Sequence, residues 1–187
     1  MITDEATKRR TFTRAFTANL AIWGLYFGFL WPRMLFNRSD GLYAGWRTLW
    51  ADWSVHFAYA NVFAYREIGD WFSTNPVFSG AAFHYPFVAD GLSGLLMRAG
   101  MDRVGAFLLP SIIASLALVM LLFVFYELLL RSPKMAVLAC ALFFTNGGVG
   151  FLEFARDLAQ NPSLSRLLFP LREYTYFPDQ GIWWINI

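Results

Sequence analysis

Three stretches of this chain, 15–32, 105–126 and 135–152, contain no Asp, Glu, Lys or Arg. Each is long enough to cross a bilayer, which takes about 20 mostly apolar residues. Charged residues make up 15% of the chain and hydrophobic ones 57%, against roughly a quarter charged in ordinary soluble domains. Eight Trp and twenty Phe would crowd a single globular core of this size. They suit a surface that faces lipid, with aromatic belts at its edges. The expected fold is therefore all-α: a polytopic membrane protein with three transmembrane helices and interfacial helices in a long first outer loop. The uncharged runs argue against a soluble enzyme. A net charge of +2, with no basic patch interleaved with aromatics, argues against nucleic acid as a partner.

Charge near the short loops sets the expected orientation. Lys8, Arg9, Arg10 and Arg14 precede the first run, and Arg131 and Lys134 sit between the second and third. Both clusters belong in the cytoplasm, in an inner (plasma) membrane. Residues 1–14 form the cytoplasmic N-terminus, 15–32 the first span and 33–104 an extracytoplasmic loop. The second span is 105–130, the cytoplasmic turn 131–134 and the third span 135–152. A second outer loop covers 153–180, and 181–187 begins a fourth span. The first run is too long for a signal-peptide core and lacks a small-residue cleavage site, so it reads as an uncleaved anchor. Cys140 stands alone in an apolar run and reads as a small buried residue.

Two segments of the first outer loop, 49–65 and 86–101, read as helices lying in the membrane interface. The second opens with Pro86, favourable at a helix start, but contains Asp90, Arg98 and three glycines. A charge at mid-bilayer costs at least about 2.5 kcal/mol, so the segment is expected in the interface with its charges turned to water. Were it a true span, Arg131 and Lys134 would lie outside. Asn146-Gly147-Gly148 interrupts the third run, and irregular backbone at that depth needs protein or a cavity beside it.

The chemistry concentrates in Trp50-Ala51-Asp52-Trp53-Ser54-Val55-His56. Asp52 and His56 are four apart and share a helix face. Low dielectric at a membrane surface raises a carboxylate's proton affinity, and a nearby imidazole offsets this. Asp52 and His56 are thus candidate catalytic residues, with an interfacial helix whose Asp and His merely face water as the alternative. Glu153 and Asp157, also four apart, are the second-loop acids. Asp52 and His56 could give two ligands to a hard divalent cation such as magnesium or manganese, with Glu153 or Asp157 from the second outer loop adding oxygen. Asp90 is expected to face water or pair with an arginine of the loop.

The ordered elements resemble the GT-C superfamily of membrane glycosyltransferases, in an uncharacterised multispanning branch. The likeness rests on a basic N-terminus, one span, an early outer-loop acid (Asp52), His84-Tyr85-Pro86-Phe87 opening the second interfacial helix, and Leu109-Pro110-Ser111 in the next span. It extends through Asn75-Pro76, Gly80 and Asp90 to Asn146-Gly147-Gly148-Val149-Gly150-Phe151 and Trp184-Ile185-Asn186. The resemblance implies a polyprenyl-phosphate-linked sugar as donor, a glycan or lipid as acceptor and the bilayer as setting. It implies that Asp52 is the base or acceptor-orienting acid, with Tyr85 and Asp90 on the substrate and Asp157 or Glu153 as the second acid. Such enzymes have many more spans, so the chain is expected to be an N-terminal fragment, inactive alone. A non-catalytic membrane component, a transporter fragment or assembly subunit, is the competing expectation.

Overall fold

The computed structural model describes residues 2–45, 50–146, 150–168 and 174. It is all-α apart from one small hairpin. Helix α1 (Ile2–Met34) is a single 33-residue rod that takes in both the basic N-terminus and the expected first span. No Gly precedes Gly24 and no Pro precedes Pro32, so nothing in the backbone stops the helix where the composition changes at Arg14. A hairpin follows: β1 (Leu35–Arg38) pairs antiparallel with β2 (Gly41–Ala44), Leu35 opposite Ala44 and Arg38 opposite Gly41. Phe36 stacks across it on Tyr43 at 5.9 Å. Helix α2 (Trp50–Tyr65) and helix α3 (Val88–Arg98) stand where interfacial helices were expected, and a loop with a short 3-10 turn joins them.

Helix α4 (Arg103–Leu130) is capped by Asp102, whose carboxylate accepts from the Gly105 N–H at 3.0 Å. It ends at Arg131, in the left-handed region at φ 51°. Ser132 then caps α5 (Pro133–Phe144), with Pro133 in the first turn, the position where a missing N–H costs nothing. Helices α6 (Gly150–Gln160) and α7 (Leu164–Leu168) follow.

Contacts define a three-helix bundle. Phe12 and Phe16 of α1 meet Phe123 of α4, with ring centroids 5.6 and 5.4 Å apart. Trp31 reaches Ser115 at 2.9 Å. So α1 and α4 run antiparallel. Trp23 and Phe27 pack on Phe144, while Phe12 and Phe16 lie against the cluster of Phe123, Ala136 and Cys140, so α5 runs parallel to α1. Cys140 is buried, as expected.

The expectation of three spans needs correction. Among the described residues one helix, α4, is long and apolar enough to cross a membrane. The run 15–32 lies within α1, but Asn19, its Trp and Tyr residues and its glycines dilute its apolar character. The run 135–152 is not one helix: α5 stops at Phe144, where Thr145 donates its hydroxyl to Ala141 O at 2.7 Å. Twelve residues at 1.5 Å each reach about 18 Å, short of the ~30 Å hydrocarbon core. The expected break at Asn146 is therefore found. Residues 147–149, the sequence 181–187 with Trp184-Ile185-Asn186, and most of the second outer loop beyond 168 lie outside the described residues.

Candidate functional site

Helices α2 and α3 pack side by side, parallel and in step: His56 faces Asp90, and Ala60 faces Gly94 one turn further on. The close approach needs small residues. A Cβ on Gly94 would meet Phe63 Cβ at 2.7 Å and collide with the Ala60 carbonyl oxygen. The last turn of α2 is also tied to α3, where the Arg98 guanidinium donates to Arg66 O at 2.8 Å. A cation there suits the negative end of α2. The pair docks on α4 through Phe57 and Trp53, whose rings lie 4.7 and 5.6 Å from Phe107.

Between α2, α3 and α4 lies a cavity of about 630 Å³. Asp52 and His56 face it from α2, Asp90 and Ser93 from α3, and Pro110 and Ser111 from α4, with Trp31 of α1 at one side. The α4 wall has its own hydrogen-bond pattern. Pro110 has no N–H to give the carbonyl a turn earlier. Ser111 donates to Phe107 O and Ser115 to Ser111 O, both at 2.8 Å, and Ser115 Oγ accepts from Trp31 Nε1.

The polar centre is His56 with Asp90, Nδ1 to Oδ1 at 3.0 Å. Asp90 is only 3% exposed, and it sits in the first turn of α3, where the helix dipole favours a negative charge. This corrects the expectation for Asp90, which pairs with His56 instead of turning to water or to an arginine; Arg98 is exposed, as expected, while its guanidinium reaches back to α2. The His56 pKa is raised above its ordinary 6.5. The hydrogen bond to Asp90 is the main cause; partial burial opposes it, and the fields of Asp90 and Asp52 add to it. With the carboxylate ionised, Nδ1 carries the proton and Nε2 is the imidazole's acceptor.

Of the other expected site residues, Asp52 is exposed and shares the cavity. The Trp50 side chain lies outside the described part. Tyr85 does not line the cavity; its ring packs on Tyr59 at 4.4 Å. Glu153 and Asp157 lie on α6, also outside the cavity wall. Glu153 accepts from Arg156 at 2.9 Å and Asp157 from the Tyr174 hydroxyl at 2.8 Å. Among the described residues no three His, Cys, Asp or Glu side chains form a group suited to a metal ion. Asp157 does not line the cavity that Asp52 faces. Sequence reasoning passed over Trp31, Ser93 and Phe107. Ser111 and Pro110 had a visible signal in Leu109-Pro110-Ser111. Comparison with protein-family models, curated proteins and solved structures finds no match.

Proposed function

We propose that this chain forms the acceptor-activating part of a membrane-embedded glycosyltransferase of the GT-C kind, with α4 crossing the bilayer, α1 and α5 packed along it, and α2 and α3 at its outer surface. One observation carries the reading: Asp52, His56 and Asp90 come from two helices to one largely apolar cavity. The dimensions support the membrane setting. Arg9 and Arg131 share a hollow at one end of the bundle, and Trp31 borders the cavity at the other. From Arg9 to Trp31 is 22 residues along α1, about 33 Å, close to the thickness of the hydrocarbon core.

In this reading Asp90 holds the His56 Nδ1–H, and Nε2 takes the proton of an acceptor hydroxyl. That oxygen attacks the anomeric carbon of the sugar, and the polyprenyl phosphate leaves with the electrons of the broken bond. Asp52 steadies the imidazolium and the acceptor. The assignment moves the proton from Asp52, its expected acceptor, to His56, because His56 is the group oriented by a third residue. Donor and acceptor classes come from the resemblance alone.

The test is sugar transfer in membranes carrying the reading frame that contains these residues, with labelled polyprenyl-phosphate sugars. His56→Gln should lower transfer by about 10²–10⁴-fold, the usual share of a general base, with membrane insertion unchanged. Transfer should rise with pH as His56 loses its proton, and Asp90→Asn should move that midpoint down. Equal transfer by His56→Gln, Asp52→Asn and the parent would sink the assignment in favour of a non-catalytic membrane component.

A further inference from the structure

The opposite end of the bundle holds a second cavity, of about 440 Å³, between the first turns of α1 and the α4–α5 turn. Lys8, Arg9 and Arg131 line it against one carboxylate, Glu127. An adjoining hollow shares Arg9 and brings in Arg10 beside Glu5. The positive charge is held on rigid elements. Arg131 closes α4 with its N–H on Glu127 O at 2.8 Å, and α5 starts two residues later. The wall is amphipathic, because Phe12, which packs on Phe16 and Phe123, lies beside the cations.

A pocket with several cations, a single acid and an apolar side suits an amphiphilic anion. Basic pockets between membrane helices are a recurring setting for phospholipid head groups, and guanidinium groups pair with phosphate oxygens through two parallel hydrogen bonds. We propose that this end of the bundle binds the phosphate head group of an anionic phospholipid, with Arg9 and Arg131 on the phosphate and Phe12 against its glycerol end. The proposal rests on the membrane setting proposed above, and is independent of the transfer chemistry.

The experiment measures the melting temperature of the detergent-purified protein with added phosphatidylglycerol, phosphatidylcholine or inorganic phosphate. Phosphatidylglycerol should raise it, phosphatidylcholine should not, and the rise should vanish at 1 M salt, where the screening length is about 3 Å. Arg9→Gln with Arg131→Asn should abolish the rise; Asn keeps the left-handed backbone accessible at 131. Arg9→Lys should retain most of it, and Arg38→Gln, on the hairpin, should leave it intact. An equal rise with phosphatidylcholine, a rise with inorganic phosphate as large as with the lipid, or a rise that survives in the double variant would each overturn the proposal. Recovery of the protein in the soluble fraction without detergent would instead refute the membrane setting.

Discussion

Gly94→Ala is the sharpest test of how α2 and α3 hold the cavity. The new methyl would lie 2.7 Å from Phe63 Cβ and collide with the Ala60 carbonyl. The colliding atom belongs to the α2 backbone and has no rotamer to yield. Relief to an ordinary carbon–carbon separation of about 3.5–4.0 Å means parting the helices by roughly 1 Å. Overpacking of this kind costs about 1–3 kcal/mol. The better helix propensity of Ala returns up to about 1 kcal/mol, so a net loss of up to about 2 kcal/mol is expected. His56 and Asp90 lie one turn from Ala60 and Gly94 on the same faces, so their 3.0 Å contact would stretch to about 4 Å, beyond hydrogen-bond range. The chain has two histidines, so with His84→Gln in the background one imidazole remains to be followed by NMR in micelles. Gly94→Ala should melt lower, and its His56 should titrate lower than the parent's. Unchanged titration with equal or greater stability would refute this account of the packing.

The remaining predictions concern the groups that line the cavity. The His56 pKa is raised on folding, so its contribution to stability is full below pH 6.5 and is lost as pH rises through the folded value. Denaturation at several pH values should show that decline, and Asp90→Asn should flatten it. Trp31→Phe removes the 2.9 Å bond to Ser115 and should cost about 0.5–1.5 kcal/mol, read by melting in detergent.

Helical segments were legible wherever composition and backbone agreed. The expected 49–65, 86–101 and 105–130 correspond to α2, α3 and α4 within a few residues, because capping and breaking residues such as Asp102, Gly100 and Arg131-Ser132-Pro133 sit at their ends. Elsewhere the two signals part. Hydropathy changes at Arg14, but helix propagation does not, so α1 runs back to Ile2. The hairpin was hidden by reading 33–104 as loop, although Asp40-Gly41 between Leu/Phe and Leu/Tyr pairs is a turn signal. At the site, the helical spacing of Asp52 and His56 placed both on one cavity. The partner of His56 is 34 residues away on another helix, a distance no local periodicity reaches. What the sequence did offer was indirect: Gly91 and Gly94 lie one turn apart around Ser93, a face smooth enough for another helix to approach.

Asp90 raises a last question, whether it serves the fold or the chemistry, and the two roles can be separated by experiment. A buried carboxylate is costly to hold, and here the cost is met by His56 and by the first turn of α3. Removing one partner and removing both then have opposite consequences. His56→Leu alone leaves the buried Asp90 carboxylate without its partner, and should destabilise by a few kcal/mol, as truncated buried pairs do. His56→Leu with Asp90→Leu replaces both polar groups by apolar ones at the edge of an apolar cavity, a change that is often neutral or stabilising. If the pair is only a structural tie, the double variant should melt as high as the parent and keep whatever function the parent has. If the pair works on a substrate, the double variant should be equally stable yet lose sugar transfer as fully as His56→Gln does. A double variant that is well folded and fully active would end the case for His56 as base, whatever Asp52 contributes.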